Sequence, residues 1–156
     1  MKFLVDSNVG RLARWLRIAG FDTMFINGID DNRLVRIALS EGRVLLTKDT
    51  QIMKRRLVTS GRLKVILIES DEVKAQLHQV VKTLHLSNQL SPFTICLECN
   101  QPLVPTEREV VKELVPPYVY QTKTQYMQCP NCQRIYWQGT HWQRMTKELE
   151  RIVEPG

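Results

Sequence analysis

Between residues 2 and 85, short apolar runs alternate with longer segments in which apolar residues return every three or four positions. The runs are KFLVD, TMFI, RVLLT and KVILIES, each of strand length. The segments between them carry helical spacing. SNVGRLARWLRIAG repeats Leu12, Trp15, Leu16 and Ala19 and stops at Gly20, and DDNRLVRIALSEG carries Leu34, Ile37 and Ala38. In the latter the aspartates suit an N-cap and Gly42 a C-cap. QIMKRRLVTSG reads as a third helix. A fourth begins near Asp71 and places Val73, Leu77, Val80, Val81 and Leu84 on one face. This alternation predicts an α/β domain built on a mostly parallel sheet.

The texture changes after SNQLSPF, a polar, proline-containing linker. Beyond it lie all four cysteines, six of the seven prolines and much of the aromatic content. A last amphipathic segment, HWQRMTKELERIV, aligns Trp142, Met145, Leu149 and Ile152. Two units are therefore expected, residues 1–90 and residues 91–156. At 156 residues the chain is long enough to bury one good core without disulfides. No stretch approaches the ~18 apolar residues of a membrane helix, and MKFLVD is too short an apolar run for a signal peptide. A cytoplasmic protein with no membrane partner is expected.

Charge sharpens the division. Residues 1–92 hold fifteen Lys and Arg against nine Asp and Glu, whereas residues 93–156 hold seven of each, so the net +6 belongs to the first unit. All six aspartates, Asp6, Asp22, Asp30, Asp31, Asp49 and Asp71, are there too. A basic surface that keeps a few carboxylates suits a polyanion held by cations and acted on through metal, although a plain solvated face has the same composition.

CLEC at 96–99 and CPNC at 129–132 supply four thiolates in two tight turns. Such pairs place sulfurs at ~2.3 Å from one tetrahedral zinc. With Cys96, Cys99, Cys129 and Cys132 as ligands no position stays open for substrate. The zinc is thus expected to be structural, holding a ribbon together. Two disulfides, an iron–sulfur cluster or a redox pair are the alternatives to it.

In an open parallel sheet, ligands bind where strands end and helices begin. Asp6 ends the first strand, Asp30 and Asp31 start the second helix and Asp49 follows the third strand. All are expected on one edge, where oxygen ligands suit Mg²⁺ or Mn²⁺. Each also has a structural role open to it as a cap or turn residue. Arg11, Arg14 and Arg17 recur every third residue on the first helix and offer a phosphate-gripping or simply solvated face. No serine or cysteine nucleophile is indicated, and His78, His85 and His141 read as surface or helix-end residues.

In order along the chain, FLVDSNVGRLARWLRIAGFDT, DDNRLVRIALSEGRVLLTKD, CLECN, CPNCQRIYW and YWQGTHWQRM closely resemble the Mut-seven C-terminal RNase domain family. The resemblance runs from residue 2 to about residue 146. It implies a PIN-like three-layer α/β/α nuclease domain followed by a zinc ribbon and a C-terminal helix. It implies hydrolysis of RNA by Mg²⁺ or Mn²⁺ held at Asp6, Asp31 and Asp49, with Asp30 adjacent. Arg14 and Arg17 match positions that face substrate, and Cys96, Cys99, Cys129 and Cys132 match the zinc ligands; beside the resemblance, Arg11 of the same helix and Lys48 are expected to contact the RNA backbone. The additional glutamate that many PIN nucleases place between the first acid and the helix-start acid has no clear counterpart here. A nucleic-acid-binding module without catalysis is the alternative. A phosphoaspartate-type phosphatase is disfavoured, because VDSN lacks a second aspartate two residues on.

Overall fold

The structure is a computed structural model and describes residues 1–154, so the last two residues of the second expected unit lie outside it. Four strands, β1 (Lys2–Val5), β2 (Asp22–Phe25), β3 (Val44–Thr47) and β4 (Val65–Leu67), pair in parallel in the order β2-β1-β3-β4. Their near-continuous apolar runs follow from burial on both faces. Phe3, Val5 and Leu46 point to one face, Leu4 and Leu45 to the other, as the two-residue period of a strand requires.

A 3₁₀ turn at Ser7–Val9 leads from β1 into helix α1 (Arg11–Ile18), which covers the first face with Leu12, Ala13, Leu16 and Ile18. Helix α2 (Asp31–Glu41) covers the second face with Leu34, Val35 and Ala38. The connection from β1 to β2 runs one way along the sheet, and that from β2 to β3 returns past β1. Right-handed crossovers then force α1 and α2 onto opposite faces. The result is three layers, with the reversal of strand order falling between β1 and β3.

The expected third helix is two short ones, α3 (Thr50–Met53) and α4 (Arg56–Thr59), separated by an extended Arg55. In one continuous helix Leu57 would lie ~140° around the axis from Ile52. The break lets Ile52, Leu57 and Val58 all pack against the second face. Helix α5 (Val73–Leu84) joins α1 on the first face through Leu77, Val80 and Val81. The linker then returns to the end of α1, where Ser91 N–H donates to Ala19 O at 2.8 Å. Gly20, at φ +95°, is needed there, since a Cβ would lie 2.2 Å from Ser91 O.

The cysteine region forms a separate three-stranded antiparallel sheet from β5 (Val104–Thr106), β6 (Tyr126–Gln128) and β7 (Ile135–Tyr136). Between β5 and β6 stand two short helices that the sequence reading does not foresee, α6 (Arg108–Val111) and α7 (Pro117–Thr122). Val111, Val115, Val119 and Tyr126 give them a small core of their own. The last helix, α8 (Thr140–Val153), packs back on α5 and α1 and adds Trp142, Leu149 and Ile152 to the core on the first face of the large sheet. No helix among the described residues is long and apolar enough to cross a membrane.

Candidate active site and metal centre

Parallel strands deliver all their carboxyl ends to one edge, and the crevice between β1 and β3 is where the winding reverses. Asp6 lies directly after β1 and is buried. Its Oδ1 accepts from Ser7 N–H at 2.8 Å and its Oδ2 from the Thr47 hydroxyl at 2.7 Å. The same Thr47 oxygen accepts the Asp49 N–H at 3.0 Å. A fully buried threonine at the end of β3 thus ties the first acid to the backbone of the third.

Asp49 caps α3 through Oδ1, which accepts from Gln51 N–H at 2.8 Å. Asp31 opens α2. Burial and the neighbouring Asp49 and Asp6 push the Asp31 carboxyl above its ordinary value, with Arg55 opposing. Asp30 is the N-cap of α2 through Arg33 N–H at 2.9 Å. Asp6 and Asp49 therefore do serve as caps, and Asp31 opens α2 on the same strand-end edge.

Like charges so placed favour either a shared proton or a cation. The donor set is all oxygen and fits a hard divalent ion. The trio is more open than the cysteine cluster, which among the described residues is the one group whose ligand atoms all lie within 4.8 Å of one another.

The three arginines part ways. Arg11 is exposed and lines a hollow with Ser7, Asn8 and Asp71 beside the acidic edge. Arg14 reaches Glu98 at 3.5 Å. Arg17 is half-buried and donates to Thr23 O at 3.0 Å and Leu97 O at 2.9 Å. It fastens the first cysteine turn to β2 instead of facing a phosphate at the acidic edge, which corrects its expected role. The physical reason is the helix itself. Six residues advance ~9 Å along the axis, so α1 carries Arg17 away from the strand ends where Arg11 sits. Burial lowers the Arg17 guanidinium from its ordinary value, while the charges of Cys96, Glu98, Cys99 and Asp22 oppose the shift.

Lys48 pairs with Asp71 in front of α5, and its N–H donates to Asn8 Oδ1 at 3.2 Å. Arg55 donates to Asn32 Oδ1 at 2.8 Å. Thr47, Asn8, Asn32 and Arg55 escape the sequence reading. Only Thr47 leaves a signal, as a polar residue closing an otherwise apolar strand.

The two cysteine turns are built alike. Cys96 N–H donates to Gln101 O and Asn100 N–H to Cys96 O; Cys129 N–H donates to Arg134 O and Gln133 N–H to Cys129 O. Asn100 and Gln133 both take left-handed backbone, at φ 61° and 67°. The amides of Cys99 and Cys132 point at the preceding sulfurs, at 3.4 and 3.5 Å. Zinc–sulfur bonds of ~2.3 Å give a tetrahedral edge of ~3.8 Å, and Cys96 Sγ lies 3.7 Å from Cys132 Sγ. The four cysteines form a cluster that can hold zinc.

Burial works against ionisation of Cys96, but the Tyr136 hydroxyl and the backbone N–H groups of Cys99 and Glu98 outweigh it and bring the thiol down to about 7. At Cys132 a backbone N–H from Arg134 favours the thiolate. Burial and the other three cysteines overcome it and raise the thiol to about 12. Four crowded thiols share charge poorly, and a dication removes that conflict. The cluster also seals the sheet. Asn100 accepts from Thr23 N–H at 2.8 Å and donates to Asp22 at 2.6 Å, covering the outer edge of β2.

Comparison with known proteins gives one family: the model described as Mut7-C RNAse domain matches residues 1–149. Neither the curated proteins nor the solved structures give a match.

Proposed function

Because the chain belongs to the Mut7-C RNAse domain family over nearly its whole length, we propose that it is a metal-dependent, PIN-like endoribonuclease whose centre is Asp6, Asp31 and Asp49. One observation carries this reading: Asp6 and Asp49 follow the parallel strands β1 and β3, and Asp31 opens the helix after β2, all on the edge where the strand order reverses. Bound there, Mg²⁺ or Mn²⁺ supplies an activated water and charge stabilisation for the leaving oxygen.

The chain's own residues prepare that edge. Thr47 fixes Asp6 and the Asp49 backbone, so two acids move as one unit. Asp30 holds the start of α2, and with it Asp31. Arg11 and Lys48 place cations beside the acids, and the +6 excess of residues 1–92 draws in the polyanion. Residues 1–90 act as the nuclease unit. Residues 91–156 form a zinc ribbon, held by Cys96, Cys99, Cys129 and Cys132, with a helix that returns to the main core. Thiolate ligands suit the reducing cytoplasm.

The test is cleavage of labelled RNA over a titration of Mn²⁺ and Mg²⁺, comparing the parent chain with Asp49→Asn. Divalent-dependent cleavage that falls at least a hundredfold in the variant is expected. No cleavage by the parent chain at any divalent concentration overturns the proposal, as does parental activity in Asp49→Asn.

A further inference from the structure

After residue 93 the chain is neutral overall, yet its charges are sorted in space. Along α8, His141, Arg144 and Lys147 come before Glu148 and Glu150, with Arg151 and the C-cap Glu154 after them. Three more glutamates, Glu107, Glu109 and Glu113, gather at α6. The basic half of α8 borders a groove of about 690 Å³, closed by α7, β7 and the middle of α1. That volume is typical of a ligand site. Arg14, Lys123 and Arg144 line it, and none of the described residues lining it is acidic. Glu98 touches its rim only through Arg14.

Four aromatic rings also line it. Tyr136 and Trp142 stand edge to face at 6.4 Å, Trp137 flanks them, and Tyr118 of α7 is 68% exposed at the mouth. Cations beside an exposed ring such as Tyr118 suit unpaired nucleotides, because every base has a face to stack and every phosphate a charge to neutralise. Helix α1 runs between the hollow that Arg11 lines and the groove that Arg14 lines. Arg11 and Arg14 are three residues apart on α1, so they lie ~60° apart around the axis and ~4.5 Å apart along it. Arg11 lines the hollow beside the acids, and Arg14 lines the groove.

We propose that this groove is a second RNA-contact site, which takes unpaired nucleotides of the strand whose backbone lies at the aspartate edge. Bases stack on Tyr118 and Trp137, and phosphates meet Arg144, Lys123 and Arg14. The proposal rests on RNA as the substrate, but not on metal at the acids. It assigns single-strand preference to the ribbon and α8, not to the basic surface of the nuclease unit.

The experiment measures binding of a labelled single-stranded RNA, and of the duplex of the same sequence, to the full zinc-loaded chain without added Mg²⁺ or Mn²⁺. Lys123→Ala/Arg144→Ala should lower the slope of log affinity against log salt by about 1.4 for the single strand, the release expected of two phosphate contacts. Tyr118→Ala should weaken the single strand about tenfold, with Tyr118→Phe restoring it, and change duplex affinity less than twofold. Melting curves report whether each variant is folded. Parental single-strand affinity in both Tyr118→Ala and the double variant overturns the proposal, as does an equal loss for single strand and duplex in Tyr118→Ala. Because cleavage is not read, failure of the metal reading and failure of this one are separate results.

Discussion

Replacing Thr47 by valine keeps the shape of a buried side chain and removes one oxygen that serves two acids. The hydroxyl donates to the Asp6 carboxylate at 2.7 Å and accepts from Asp49 N–H at 3.0 Å, and the residue has no exposed surface. A hydrogen bond to a charged group contributes about 1.5–3 kcal/mol and a neutral one about 0.5–1.5 kcal/mol. Loss of both should cost about 2–4.5 kcal/mol, a fall in Tm of roughly 4–18 °C for a chain of this size. Differential scanning calorimetry measures that fall, and divalent-dependent RNA cleavage measures its consequence at the acids. Thr47→Ser, which keeps the oxygen, should retain most of both. A Thr47→Val protein with parental Tm and parental cleavage would show that this hydroxyl does not organise the acidic edge.

Cys129→Ser removes one of four sulfurs from a cluster with no spare ligand, so zinc content measured by atomic emission should fall well below one per chain and the Tm should drop; full zinc occupancy would refute the ribbon site. Asp31→Asn tests crowding: the folded carboxyl holds its proton to higher pH than the unfolded one, so stability falls as pH rises from about 4 through the raised value. Without divalent ions the variant should therefore melt higher than the parent near neutral pH and lose that advantage below pH 4, while Mn²⁺ should stabilise the parent alone; parallel melting curves at all pH values would refute this. Arg17→Met leaves the carbonyls of Thr23 and Leu97 unpaired and should lower stability by about 1–3 kcal/mol in denaturant titration. The salt slope of RNA binding should stay put, and the opposite pattern would return Arg17 to the phosphates.

The strands and the longer helices were legible because their signals are local. Apolar runs bounded by Asp and Gly mark β1 to β4, and Asp30 and Gly42 cap α2 as their types demand. The cysteine spacing likewise specifies its cluster without reference to the rest of the chain. What failed depended on directions in space. A spacing of three residues groups Arg11, Arg14 and Arg17 on one side of α1, but says nothing of which end of the helix meets the acids. No breaker residue marks Lys54–Arg55, where packing of Ile52 and Leu57 interrupts the helix. Helices α6 and α7 went unread, although Val111, Val115 and Val119 carry the four-residue spacing of the small core beneath them. The link from Thr47 to Asp6 spans 41 positions and exists only once β1 and β3 pair.

The central claim is that Asp6, Asp31 and Asp49 jointly hold a divalent ion. Its most direct test is a crystal of the zinc-loaded chain soaked in Mn²⁺, with anomalous data collected at energies that separate manganese from zinc. Manganese is expected within coordination distance of carboxylate oxygens of all three aspartates, and is expected to be lost in crystals of Asp49→Asn. Manganese absent from that edge while zinc fills the cysteine cluster would contradict it, and so would manganese retained unchanged in the variant.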